Sequence, residues 1–149
     1  MRFKTFRLLL LCVFIGIMAN SVWAGSGVKI DVKTVLASQQ STFFDPRLSG
    51  LIEELRSVFR YTSYRLLSED RLVLGIGETG NVVLPGKLVL RITPIGIRGN
   101  RAELRLVILR KKNKIFQTVI RLRNHGSITV GGPRHQKKGH LLFNIANSF

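Results

Sequence analysis

The chain has 149 residues, of which 45% are hydrophobic, and this composition is too apolar for an intrinsically disordered protein. It carries 24 lysines and arginines against 8 aspartates and glutamates, a formal net charge of +16 that attracts anions. The length favours a single domain, and one cysteine leaves no internal disulfide.

The N-terminal residues have the layout of a secretory signal peptide. Arg2, Lys4 and Arg7 form a positively charged start, and an apolar run from Leu8 to Met18 follows. That run is shorter than the roughly 20 apolar residues of a membrane-spanning helix. We therefore predict a signal peptide over residues 1–24 with cleavage after Ala24, and an uncleaved anchor is the alternative.

We expect the mature chain, Gly25 to Phe149, to form one α+β domain that is exported to the periplasm or elsewhere in the envelope. It would lose the only cysteine, Cys12, so a thiol nucleophile or a cysteine-ligated metal is excluded from it. Its net charge lies in one half of the sequence. Residues 25–86 hold seven basic and seven acidic residues, whereas residues 87–149 hold fourteen basic residues and one acidic residue, Glu103.

Hydrophobic periodicity predicts one helix and several strands. Alternation starts at Val28, and Asp45-Pro46 then opens an amphipathic helix over Pro46 to Arg60. Short strands are predicted over Ser63 to Leu67 and Arg71 to Ile76, separated by a turn at residues 68–70. With the later strands, the fold predicted is α+β, one helix near the N-terminus packed on a mostly antiparallel sheet or sandwich of about seven strands.

The later strands are bounded by turns at Arg98-Gly99-Asn100 and at Lys111-Lys112-Asn113. Alternation places one set of residues in the core: Leu88, Leu90, Ile92, Ala102, Leu104, Leu106, Ile108, Phe116, Ile120 and Leu122. The opposite set is cationic and comprises Lys87, Arg91, Arg105, Arg121 and Arg123, interleaved with Val89, Val107 and Val119. This set forms either an open basic binding face or the rim of valines that another segment covers.

A basic loop, Pro133 to His140, contributes Arg134, Lys137 and Lys138 as further candidate anion-binding or partner-binding residues. The adjacent glycines Gly131-Gly132 could supply backbone amides to an anion. His135 and His140 are poor metal ligands here, since nearby cations oppose a metal ion and no carboxylate lies close in sequence. No metal site is predicted.

No motif predicts catalysis or a cofactor. Gly75 to Gly80 matches G-x-G-x-x-G, but the β-branched continuation to Pro85 does not start the helix that a dinucleotide site needs. His125 and Ser127 lack a nucleophile motif, and a carboxylate in the same pocket would be needed to favour an enzyme.

Four segments resemble short exported bacterial envelope proteins of unassigned activity. These are Asp45 to Leu48, Phe59 to Leu67, Leu84-Pro85-Gly86 and Val130 to Pro133. The resemblance implies a single envelope domain and brings no catalytic residues.

These observations predict an exported, non-enzymatic binding or assembly module that uses the basic sheet face and loop. The expected partner is an envelope protein or an anionic glycolipid or polysaccharide, with peripheral membrane contact, and export disfavours nucleic acid. The alternative is a binder of anionic lipid headgroups or acidic glycans.

Overall fold

The computed structural model describes residues 27–137 and 139–149. The predicted signal peptide over residues 1–24 and the candidate residue Lys138 therefore lie outside the described residues. The described chain is mostly antiparallel β with one short helix. Its strands are β1 (Val28–Ser38), β2 (Ser63–Leu74), β3 (Gly80–Leu84), β4 (Leu88–Arg98), β5 (Arg101–Arg110), β6 (Asn113–Arg123), β7 (Ser127–His135) and β8 (Gly139–Ser148).

The eight strands of the described residues form two four-stranded sheets. Sheet A has the order β2-β1-β8-β7, and sheet B has the order β3-β4-β5-β6. Inner-face residues of both sheets form one buried cluster, which includes Ile30 and Phe143 from sheet A and Ile92 and Leu104 from sheet B. The two sheets therefore pack face to face as a sandwich.

Alternation along the strands of sheet B separates most of its core residues from its outer residues. Nine of the ten predicted core residues are buried: Leu88, Leu90, Ile92, Ala102, Leu104, Leu106, Ile108, Ile120 and Leu122. The prediction is wrong for Phe116, whose side chain is 37% exposed. The register between β5 and β6 shifts between Ile108 and Leu109, and this irregularity next to Phe116 interrupts the regular alternation.

The predicted continuous helix from Pro46 to Arg60 is wrong in its extent. The structure has a 3-10 helix over Pro46–Leu51 followed by a short α-helix, α1 (Ile52–Val58). Gly50 lies in the 3-10 helix two residues before α1 begins, and glycine is a poor residue in an α-helix interior. At the other end Phe59 is extended, and its carbonyl oxygen accepts a hydrogen bond from the Tyr64 hydroxyl at 2.6 Å. Burial raises the pKa of this Tyr64 hydroxyl.

The helical segment covers part of the outer face of sheet A. Leu48 and Leu55 pack with Val35, Tyr64 and Leu142 in a second buried cluster. Glu54 of α1 also accepts a hydrogen bond from Thr129 of β7 at 2.8 Å. One end of sheet A is thus buried on both faces.

Hydrogen bonds of Asp45 connect the start of the helical segment to sheet A. Its carboxylate accepts hydrogen bonds from the backbone N–H of Arg47 and from that of Leu66 on β2. The Arg47 guanidinium donates to both carboxylate oxygens, at 3.0 and 2.7 Å. These bonds favour the ionised form, so the side-chain hydrogen bond from Arg47 holds the pKa of Asp45 well below its usual range.

The two predicted strands, Ser63 to Leu67 and Arg71 to Ile76, are in fact one strand. Residues 68–70 do not form a turn, because Ser68, Glu69 and Asp70 pair with Thr34, Lys33 and Val32 of β1. The register shifts between Thr34 and Val35, which accommodates an extra residue in β2. An ion pair between Lys33 and Glu69, with Nζ and Oε1 3.8 Å apart, links the two strands at this point.

Gly131 and Gly132 lie in β7, an edge strand of sheet A, rather than in a loop. Their contribution of backbone amides to an anion stays a prediction. A Cβ atom at Gly132 would lie 2.8 Å from Cζ of Phe143 and 2.9 Å from the carbonyl oxygen of Leu141. Glycine is therefore required at this position by close packing.

Replacing Gly132 with alanine should destabilise the fold, because the new methyl group overlaps the ring of a core residue. We expect Gly132→Ala to lower the free energy of unfolding by about 1–3 kcal/mol, measured by urea denaturation. Gly96→Ala is the matched control, since nothing lies within 4 Å of a Cβ atom there. Equal stability of the two variants would contradict this packing.

Asp45→Asn should lower the urea midpoint at pH 7, because the amide loses the charge-assisted bonds of the carboxylate. The pKa of Asp45 is lowered by folding, so its stabilisation is complete above the unfolded pKa of about 3.9 and disappears as the pH falls through the folded value. The difference in urea midpoint between the native protein and Asp45→Asn should therefore decrease as the pH is lowered from 4 to 2. A difference in urea midpoint that stays constant over this pH range would contradict this role of the carboxylate. Asp31→Asn, at an exposed ion pair, serves as the control.

Candidate anion-binding face

The five cationic residues predicted for one sheet face all lie on sheet B. Lys87 precedes β4, Arg91 is on β4, Arg105 is on β5, and Arg121 and Arg123 are on β6; all five are exposed. Their neighbours in sequence point into the core, so these side chains share the outer face of the sheet. We call this surface, with Arg98 and Arg101 at its far end, the basic face.

Arginines lie opposite one another across three strands of the basic face. Arg98 of β4 pairs with Arg101 of β5, and Arg101 pairs with Arg123 of β6. Like charges directly opposite each other destabilise a sheet. This row therefore concentrates positive charge at a cost to the fold.

The basic face contains one ion pair among the described residues. Nε of Arg121 donates to Oε1 of Glu103 at 2.9 Å, and the two residues are register partners. Glu103 thereby offsets the charge of Arg121. No ion pair within residues 27–137 and 139–149 involves Lys87, Arg91, Arg105 or Arg123.

The valines of this surface remain in contact with solvent. Val83 is 78% exposed and Val119 is 46% exposed, while Val89 and Val107 are half-buried. No strand or loop of the described chain packs over them. Of the two predicted arrangements, an open face and a covered one, the described residues form the open face.

A groove of about 600 Å³ lies at one end of the basic face. It forms where the β3–β4 turn and the β5–β6 turn meet the ends of their strands. Four cations line it together with a row of apolar register partners across β3, β4 and β5, namely Val83, Val89 and Leu109, which we call its floor. We call it the hairpin groove; its lining residues are Asn81, Val83, Lys87, Val89, Arg91, Leu109, Lys111 and Lys112.

The basic loop does not join the basic face. Arg134 lies in β7 and Lys137 in the turn before β8, and both line a separate cleft with Tyr61 and His140. The Tyr61 hydroxyl and Nδ1 of His140 are 2.9 Å apart. The candidate residues therefore divide between two surfaces on different sheets, and Lys138 lies outside the description.

Of the other sequence motifs, the G-x-G-x-x-G match has a structural role, and His125 does not line the groove that contains Ser127. The G-x-G-x-x-G match is a turn between β2 and β3, in which the N–H of Gly77 donates to the carbonyl of Pro94 at 2.7 Å. Ser127 lines a groove with Asp31 and Glu69, and His125 is not among the residues lining it.

Within residues 27–137 and 139–149, no three His, Cys, Asp or Glu side chains cluster as a metal site would require. Over the same residues, no helix has the length and apolar character needed to span a membrane.

Sequence reasoning missed Lys111, Lys112, Arg98 and Arg101 as members of this surface. It assigned three of them to turns and did not include β3 as a strand. A strand-by-strand pairing of the meander could have found them, because alternate turns of a meander lie at the same end of the sheet.

Comparisons with protein-family models, with curated proteins and with solved structures give no match for this chain.

Proposed function

We propose that the protein is an exported, non-enzymatic binding or assembly module of the bacterial envelope, and that its basic face binds an acidic partner. The observation that carries this proposal is the row Arg98, Arg101 and Arg123, in which like charges lie opposite one another. Such an arrangement lowers the stability of the free protein, and a bound anion relieves the repulsion.

The two outer faces of the sandwich differ in a way that supports this assignment. On sheet A, Lys33 and Arg71 are paired with Glu69 and Asp31, so positive and negative charges alternate. On sheet B, Glu103 pairs with Arg121 and the other cations have no acidic partner among the described residues. An acidic partner is therefore attracted to sheet B rather than to sheet A.

The partner class follows from the predicted export of the chain. Outside the cytoplasm the abundant anions are acidic polysaccharides, phosphorylated glycolipids and acidic protein surfaces. Exposed valines between the arginines add apolar contact area to such a surface. Recognition of an anionic lipid headgroup is a second candidate, which the apolar floor of the hairpin groove favours.

Charge reversal at matched positions tests the proposal. Arg105→Glu with Arg123→Glu alters the basic face, whereas Lys29→Glu with Arg60→Glu makes the same change in net charge at exposed positions elsewhere. With immobilised heparin as an acidic polysaccharide, we expect the first variant to bind about tenfold more weakly at low salt, and the control to bind nearly as well as the native protein.

Binding of the native protein should also weaken as salt is raised, because exposed charges are screened. An equal loss of heparin affinity in the two variants would show that only the net charge of the protein determines binding. This result would overturn the assignment to the basic face. Circular dichroism of each variant checks that the sandwich has folded.

A further inference from the structure

Three lysines around the hairpin groove adopt left-handed backbone conformations. The φ angles of Lys87, Lys111 and Lys112 are 61°, 48° and 70°. Positive φ is unfavourable for a residue with a Cβ atom, and a two-residue hairpin turn of this kind favours Asn-Gly. Strained residues of this kind are concentrated at functional sites, so the lysines suggest a role beyond turn formation.

The same lysines gather with Arg91 around one concave site. All four cations line the hairpin groove, and its lining includes no carboxylate. No ion pair in the described chain involves any of them. A ligand that carries more than one negative charge complements such a site better than a single charge does.

The floor of the groove is apolar. Val83 is 78% exposed; its register partner Val89 and the next residue of the row, Leu109, are half-buried. Free phosphate would contact the lysines but leave this floor in water. A phosphate attached to a hydrocarbon or acyl-glycerol group would cover the floor as well.

We propose that the hairpin groove binds the phosphate monoester headgroup of a membrane lipid, with the phosphate between the lysines and the adjoining carbons on the valine floor. A phosphate monoester carries about −1.5 to −2 charges at pH 7, more than the single charge of a phosphodiester. This inference rests on the proposed function, since it names a ligand for one end of the basic face.

Vesicle co-sedimentation distinguishes the headgroups. The probes are phosphatidylcholine vesicles containing either phosphatidate, a monoester, or phosphatidylglycerol, a diester, matched in total lipid charge. We expect the native protein to bind the phosphatidate vesicles about tenfold more tightly. Equal binding to the two anionic vesicles would overturn the proposal.

The decisive variant is Lys111→Asn with Lys112→Gly, which introduces the preferred turn residues while removing two groove cations. It should unfold at a higher urea concentration than the native protein and lose the preference for phosphatidate. Lys29→Asn with Arg60→Gln is the control of equal charge loss and should keep the preference. A variant that is more stable and retains the preference would also overturn the proposal.

Competition with soluble glycerol 3-phosphate distinguishes a membrane-lipid ligand from a free phosphate ester. Because it lacks the acyl chains, it should compete poorly with phosphatidate vesicles; competition at equal concentration would overturn the role of the apolar floor. Heparin binding distinguishes the two proposals. If the native protein binds heparin but shows no preference for phosphatidate, only the groove assignment fails. If heparin binding is unaffected by Arg105→Glu with Arg123→Glu, the proposed function fails.

Discussion

The burial of two sheet faces against each other is the constraint on which the rest of the structure depends. Sheet B contributes alternate aliphatic residues to this core from β3, β4, β5 and the second half of β6. The intervening residues must then face outward, whatever their charge. The basic face is therefore a direct consequence of core packing, and Arg91 and Arg105 lie on it because their neighbours are buried.

The two outer faces of the sandwich have different surroundings. The 3-10 helix and α1 cover one end of sheet A, and the carboxylate of Asp45 and the hydroxyl of Tyr64 hold them there. Sheet B has no such cover within the described residues, so its valines and arginines remain in solvent. This asymmetry leaves one large, open and positively charged surface, which is the surface we assign to binding.

The alternating pattern was enough to predict the core of sheet B and the side chains on its outer face, because a strand has a fixed period of two. It failed at irregular positions. Phe116 lies beside a register shift, Gly50 divides the predicted helix, and residues 68–70 pair with β1 although Ser-Glu-Asp is typical of a turn. The pairing of residues 68–70 depends on β1, which is distant in sequence, and period-two alternation alone does not reveal it.

The candidate site was predictable only in part for the same reason. Sequence alone indicated the charge of Lys87 and Arg91, but their meeting with Lys111 and Lys112 requires two hairpin turns to lie at one end of a sheet. Arg134 and Lys137 were predicted by charge as a loop that binds the same partner as the basic face, whereas β7 and the turn before β8 place them at a separate cleft.

We propose that the outer face of sheet B is the binding surface. Amide chemical shifts of the isotope-labelled protein, followed by NMR during titration with heparin fragments, test it most directly. The account predicts that the largest shifts occur in β4, β5, β6 and the two turns around the hairpin groove. Shifts concentrated in the cleft of Tyr61 and His140, or spread evenly over sheet A, would contradict it.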